Sequence, residues 1–500
     1  MTDRDRPAPR SAPTARGNDR GGNDRGGNDR GGNDRGGNDR GGNDRGGDRP
    51  RDAGPRDSRD RPRDAPRSAA PRDRSIRPSE RPADPNAPAP RRNTPVGRRP
   101  ARPTVRGPSV KVPLDVARLV RAGHPWVFRH TVRRDLDNLS EGAVVPVIDE
   151  DGYGVGWGLV EAEGAIGVRM LSLHADFSWN EAEMLTRIRQ ALRLRGPALL
   201  AQGAVRLLHG EADGFPGLAL DRLGDYLLLY KYARCAESYL DTLVPLLEQE
   251  LKPAGIYLQD RIRSVTAADD RRPPAFHLAG KAAPPEVEVG EDGLKFLVDV
   301  TAPVSPGLFL DLREGRRLLE TLVRGRSVCN LFSFTGAFGL RAVRAGAAAV
   351  THVDSAARSH ARCRQNLAAS GMDPEAIEAI TGDVFTLLEK FRQRGRVFDF
   401  IVVDPPPFSN VKGNTFSALK DWNQLMAAVA GVVSPGGHVL AISNAVRLPE
   451  DEFFLALGEG VHAAKRSARL VGECGLPPDF PVPPAFVEGR YLKIKLLQLD

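Results

Sequence analysis

The 500-residue chain holds only four cysteines, Cys235, Cys329, Cys363 and Cys474, with neither metal-ligand spacing nor a pairing pattern. That excludes a disulfide scaffold, gives no sign of a structural zinc site, and fits a reducing compartment. No apolar run is long enough to span a bilayer, and the opening MTDRDRPAPR lacks the apolar core of a signal peptide. A soluble, cytoplasmic protein with no membrane partner is expected. Lysine is absent from residues 1–108, and so are Phe, Trp and Tyr, although this stretch carries 27 Arg against 16 Asp plus Glu. The formal charge of +8 therefore sits in the N-terminal tail, and the remainder is close to neutral. A nucleic-acid surface on the folded body must then be a local patch.

The tail repeats Gly-Asn-Asp-Arg-Gly six times over residues 17–46. Without aromatic residues it cannot bury enough apolar surface to offset chain entropy, so disorder is expected over residues 1–108. Arginine and glycine suit a loose, salt-sensitive RNA tether; the interleaved aspartates equally suit a solubilising tail.

From about residue 109 the composition turns globular. Residues 109–175, with AVVPVIDEDGYGVGWGLV and AIGVRMLSL, predict a small β-barrel. Residues 176–300 predict a helical linker, DFSWNEAEMLTRIRQALRLRG, then an α+β central domain. From residue 301 strands alternate with helices. Strands are read at SVCNLF, AVTHVD, IEAITGD, FDFIVVD and HVLAISN, with helices AFGLRAVRAG, SAARSHARCRQNLAAS and ALKDWNQLMAAVAGVV between them. This α/β alternation predicts a doubly wound, mostly parallel sheet with its ligand site at the carboxyl ends of the strands.

Those ends carry the chemistry. The first strand runs into NLFSFTGAFG, where Thr335 and Gly336 make a small-residue turn before a helix. The second ends in Asp354, placed to hold both ribose hydroxyls of a nucleoside. The third ends in Gly382-Asp383, placed to accept from an adenine amino group, and the fourth in Asp404. Each acid alone also reads as a helix N-cap. Together, with no basic cluster for a pyrophosphate, they point to S-adenosylmethionine. Prolines 405–407 stiffen the exit from the fourth strand. Phe408 is then read beside the methyl donor, where its ring can stack on a nucleobase, while Asp404 or a loop carbonyl accepts from an exocyclic amine. The alternative is a rigid turn with Phe408 packed into the core.

Over residues 110–500 the chain resembles the bacterial family of class I methyltransferases of the large-subunit rRNA that carry an N-terminal PUA domain. The resemblance rests on HPWVF (124–128), GEADGFPGLALDRLGDYLLL (210–229), GLFLDLREGRR (307–317), NLFSFTGAF (330–338), GDVF (382–385), DPPPF (404–408), LKDWN (419–423) and EGRYLK (488–493). It implies a disordered tail, a PUA β-barrel, an α+β central domain, and a Rossmann-like class I methyltransferase domain with a mostly parallel seven-stranded sheet. It also implies Phe309, Asp311 and Arg313 beside the donor, with Asn330, Ser333, Thr335 and Gly336 as the donor loop. Asp354 becomes the ribose acid, Asp383 the adenine contact, and Asp404 borders the donor. The implied partner is 23S rRNA; the oligomeric state is not fixed, a homodimer being admissible.

One departure bears on the target. Carbon-5 of cytosine is a poor nucleophile, and the family's C5 enzymes first add a cysteine thiolate to carbon-6. That cysteine lies at the end of the fifth strand, which here reads AISNAVR, with Ser443 and Asn444 in its place. The DPPPFSN and ISNAVR pair resembles instead the related guanine-N7 rRNA methyltransferases. A ring nitrogen with a lone pair needs alignment more than covalent help. Asp404, Phe408, Asn410 and Asn444 are therefore the expected catalytic set, acting on guanine N7 or N2. The rivals are a cytosine-C5 enzyme with a nucleophile relocated to Cys474, a non-catalytic RNA-binding assembly protein, and a nucleotide-dependent oxidoreductase.

Overall fold

The computed structural model describes residues 107–262, 272–411 and 414–500; for residues 409–411, 414 and 415 it describes the backbone alone. The disorder expected of the tail falls on residues 1–106, outside this range, apart from the last two residues.

The first sheet has five strands in the spatial order Val110–Val112, Val144–Asp149, Gly154–Val160, Ile166–Ser172, Trp126–Phe128. Its apolar residues alternate inward around Val112, Val147, Val155 and Val168. Two helices, Leu114–Arg121 and Arg129–Leu136, lie between the early strands, where the sequence reading saw only short apolar runs and turns. Both are amphipathic, burying Val120 in one and Val132 and Leu136 in the other. A long helix, Glu181–Leu200, follows, capped by the Asn180 side chain at the Glu183 N–H. A second five-stranded sheet, from Ala204–His209 to Phe276–Gly280, has its strands in sequence order. A separate hairpin, Val287–Glu291 with Leu294–Val298, lies against the third sheet's core.

That third sheet has seven strands: β1 (Ser327–Leu331), β2 (Ala349–Asp354), β3 (Glu378–Thr381), β4 (Phe398–Val403), β5 (Val433–Ser443), β6 (Ala468–Cys474) and β7 (Lys493–Leu499). Their spatial order is β3-β2-β1-β4-β5-β7-β6, parallel except for β7, which is antiparallel to both neighbours. Helices α1 (Arg313–Glu320), α2 (Ala337–Arg344) and α3 (Ala357–Ala369) cover one face; α4 (Val384–Gln393), α5 (Trp422–Ala430) and α6 (Glu450–Ala463) cover the other. The near-continuous apolar run FDFIVV follows from this. Phe400 and Val402 enter one core, Ile401 and Val403 the other, each contributing on the order of 2 kcal/mol by burial.

The order of β1 to β4 matters most for the site. Three parallel crossovers bring the carboxyl ends of β3, β2, β1 and β4 side by side on one rim.

Candidate active site

Between β1 and α2 lie only Phe332–Gly336, and three of these five residues have positive φ: Phe332 at 57°, Phe334 at 47° and Gly336 at 89°. Aromatic residues adopt that conformation only when their surroundings hold them there. The Phe334 N–H donates to Asp354 Oδ2 at 2.8 Å, the Thr335 hydroxyl to the Gly307 carbonyl at 2.6 Å, and Asn366 Nδ2 to the Thr335 carbonyl at 3.1 Å. Gly336 is needed twice over. Besides its φ, a Cβ there would overlap the Cys363 sulfur and lie 3.0 Å from His352 Cε1. Two donors at this junction are left over: Asn330 Nδ2, near the end of β1, and Ser333 Oγ, in the turn, are buried with no hydrogen-bond partner among the described residues. Buried polar groups are rarely left unpaired, so this turn is built for a ligand that brings acceptors.

The acids line the same rim. Asp354 ends β2 and spends one oxygen on each flank, Oδ1 accepting from the Ala356 N–H at 2.9 Å. Asp383 lies two residues past β3, and its Oδ1 accepts from both the N–H and the hydroxyl of Thr386 at 2.8 Å. It caps α4, so the helix-cap reading holds for it while it stays on the rim. Asp404, directly after β4, is half-buried, and its carboxyl is pushed up to about 7 by burial, then by the neighbouring Asp311 charge. Burial raises Asp311 as well, against the hydroxyl of Tyr491, which donates to it at 2.8 Å. Phe309 exposes its ring beside that of Phe334, centroids 5.4 Å apart.

Arg313, expected beside the donor, has a fully buried guanidinium with a partner on each of its three nitrogens. It donates to Glu291 at 3.3 Å, to Asp479 at 2.7 Å and to the Ala204 carbonyl at 3.0 Å. Glu291 in turn binds Arg316 and Arg341, and these pull its carboxyl below the ordinary range despite burial. Arg313 thus bolts the central sheet and its hairpin to the donor side; it presents no free edge there.

The proline stretch is corrected in part. Instead of a plain loop, residues 404–407 lead into a short hairpin pairing Phe408 with Ser417 and Asn410 with Thr415. The Pro407 carbonyl accepts from the Ala418 N–H at 3.0 Å. The sequence reading ran α5 through ALKDW; it starts at Trp422. Phe408 does not pack into the core, its ring being 63 % exposed. The Asn410 side chain lies outside the described part. Asn444 is exposed immediately after β5, while Ser443 is buried and its Oγ accepts from the Ala445 N–H at 3.4 Å. Lys493 fixes that turn by donating to the Ala445 and Tyr491 carbonyls, both at 3.0 Å.

Cys474 is the last residue of β6. It pairs with Ile494 of β7, which pairs with Ile442 of β5, so a whole strand separates it from the turn at Asn444. Burial pushes its thiol up to about 11. Three residues with no functional reading from the sequence prove to hold the site: Asn366, Tyr491 and Glu291. Tyr491 stands inside the EGRYLK motif; the other two carried no signal, because their partners are distant in sequence.

Residues 205–492 match the S-adenosylmethionine-dependent methyltransferase family, and residues 110–173 match a PUA-like domain. The protein is an S-adenosylmethionine-dependent methyltransferase, and the unsatisfied donors and acids of the rim fit that cofactor. Ribosomal RNA large subunit methyltransferase I of Shewanella denitrificans is 32 % identical over 373 residues, 74 % of this chain and 94 % of that protein. Its counterpart from Photobacterium profundum is 29 % identical over 377 residues, 75 % and 95 % of the two chains. A crystal structure of a methyltransferase complexed with SAH is 25 % identical with a TM-score of 0.70, covering 78 % of this chain and 99 % of that one. A Streptococcus mutans S-adenosylmethionine-dependent methyltransferase gives 25 % and 0.68 over the same shares. The chain belongs to the PUA-containing family of large-subunit rRNA methyltransferases.

Proposed function

We propose that this protein methylates a guanine of 23S rRNA, at N7 or N2. The observation that carries the choice of base is the exposed Asn444 at the end of β5, where a C5 mechanism needs a thiolate. The rRNA substrate is taken from the relatives' names, and the division into tail (1–108), PUA-like part (109–175), central part (176–300) and methyltransferase part (301–500) follows the composition shifts of the sequence.

When bound, S-adenosylmethionine supplies an electrophilic methyl group on a cationic sulfur. Asn330, Ser333, Thr335 and Gly336 hold the donor in this reading, with Asp354 on the ribose hydroxyls and Asp383 on the adenine amine. Phe309 and Asp311 close the side nearest the acceptor. Phe408 stacks on the target base, and Asn410 and Asn444 meet its edge. Attack by N7 forms the C–N bond as the C–S bond breaks and releases no proton. Attack by N2 does release one, and Asp404, titrating near neutrality, is the group to receive it. That raised carboxyl is the specific support for N2.

The test is transfer of labelled methyl from S-adenosylmethionine to protein-free large-subunit rRNA, followed by digestion to nucleosides. Label in a methylguanosine supports the reading. Label in 5-methylcytidine, or no transfer alongside donor binding, contradicts it.

A further inference from the structure

A cavity of about 550 Å³ lies outside the donor rim. Its lining contains none of Ser333, Gly336, Asp354, Asp383 or Asp404, but it reaches Phe309 and Asp311 on the acceptor side of that rim. Val446, two residues past Asn444, also lines it. The opposite walls come from the second sheet, and Trp126 and Arg169 reach in from the first. All three folded parts of the chain thus converge on one hollow beside the methyl-transfer position.

Its walls carry aromatic rings, and its charged groups are the cations Arg169, Arg206 and Arg261 together with the carboxylates Glu211, Asp221, Asp311 and Glu488. Arg206 is sandwiched between rings, its guanidinium carbon 4.4 Å from the Phe480 centroid and 5.5 Å from that of Tyr230, and its charge is met by Asp221. It also approaches His209 Nδ1 at 3.2 Å. Arginine has only donors, so Nδ1 must be the acceptor and the His209 proton must sit on Nε2. The His209 Nε2–H then has no hydrogen-bond partner among the described residues. Arg261 stacks 5.3 Å over the other aromatic neighbour, Tyr230, and gives one terminal N–H to the Val304 carbonyl. Its Nε is buried with no hydrogen-bond partner among the described residues. A buried unpaired guanidinium N–H costs free energy unless a ligand supplies an oxygen or ring nitrogen.

Aromatic walls with an unspent donor suit a flat, acceptor-rich group. We infer that this cavity receives one nucleotide of the RNA substrate, extruded from its stack, with the base among the rings and an acceptor on Arg261 Nε. The inference rests on RNA being the substrate and adds a place for a nucleotide other than the target base, which the proposed function sets at Phe408: a pocket built jointly by the PUA-like, central and methyltransferase parts. Extrusion costs a few kcal/mol of stacking, which aromatic walls return. Arg261 and His209, both outside the methyltransferase sheet, become groups that set substrate affinity.

The experiment uses the full chain with protein-free large-subunit rRNA. Ultraviolet cross-linking followed by peptide mass spectrometry should give nucleotide adducts on the cavity aromatics Tyr230, Tyr232 or Phe480. In parallel, Arg261→Gln and Tyr232→Ala should each lower kcat/KM for RNA by about tenfold or more, with SAH affinity by calorimetry within about a factor of two of the unaltered protein. Retained SAH binding reports that the fold survives, and Tyr232, with a ring already half in solvent, is the safer of the two. Cross-linked complexes with adducts only elsewhere overturn the inference, as do two folded variants that methylate RNA at the unaltered rate. Should the unaltered protein methylate no rRNA, the functional reading falls, and the adduct map alone then decides whether the cavity binds a nucleotide.

Discussion

The Tyr491 hydroxyl donates to the Asp311 carboxylate at 2.8 Å, tying the segment before the last strand to the segment before α1. Asp311 is the acid whose charge helps raise Asp404, so this hydrogen bond sets the electrostatics of the transfer position. A hydrogen bond to a buried charged group is worth about 1.5–3 kcal/mol. Tyr491→Phe should therefore weaken donor binding or slow transfer by about tenfold. Calorimetry with SAH and single-turnover transfer separate the two effects.

Gly336→Ala should abolish donor binding. A methyl at φ 89° carries left-handed strain of about 1–2 kcal/mol, and its overlap with Cys363 adds about 1–3 kcal/mol more. The double substitution with Cys363→Ala relieves the overlap and leaves the strain. It should melt above the single variant and below the unaltered protein in thermal denaturation.

Asp404 fixes a pH dependence. Its folded pKa, about 7, lies above the ordinary carboxyl value of 3.8, so the folded state binds the extra proton between these limits. Its contribution to stability is thus favourable at low pH, declines as pH rises from about 4 to 7, and is lost above that. Asp404→Asn removes the penalty. The variant should gain thermal stability relative to the unaltered protein at pH above about 7, and that gain should vanish near pH 4. Melting curves across this range check the sign.

Glu291 works in the other direction. It is fully buried among Arg313, Arg316 and Arg341, and its pKa is lowered by them. Its stabilising contribution is present above the ordinary glutamate value and is lost as pH falls through the folded one. Glu291→Gln leaves the buried Arg316 without a carboxylate partner, while Arg313 keeps Asp479 and Arg341 keeps Asp292 and Glu320, and should cost about 3–5 kcal/mol, measured by denaturant unfolding at neutral pH.

Much of the rim was legible in the sequence because its residues sit at fixed places in a repeating pattern. A strand of alternating cores ends in an acid or a glycine, and Asp354, Asp383, Asp404 and Gly336 fall at those ends. The parallel direction of β1 to β5 followed from alternation with helices, while their spatial order did not. What stayed hidden depends on distant pairings. Arg313 occupies a position next to the donor segment, yet Glu291 and Asp479 capture its guanidinium, and no local pattern announces partners so far along the chain. The hairpin at Phe408–Ser417 was missed because three prolines read as a stiff loop, whereas the first pairing comes one residue after them. The cavity at Arg261 was likewise invisible, since its walls come from three parts of the chain.

The central claim is a guanine target, inferred from Asn444 standing where a C5 enzyme needs cysteine. Nucleoside mass spectrometry of 23S rRNA from cells with and without the gene tests it most directly. The account predicts that one methylguanosine is lost and every 5-methylcytidine remains. Loss of a 5-methylcytidine with all methylguanosines intact would contradict it.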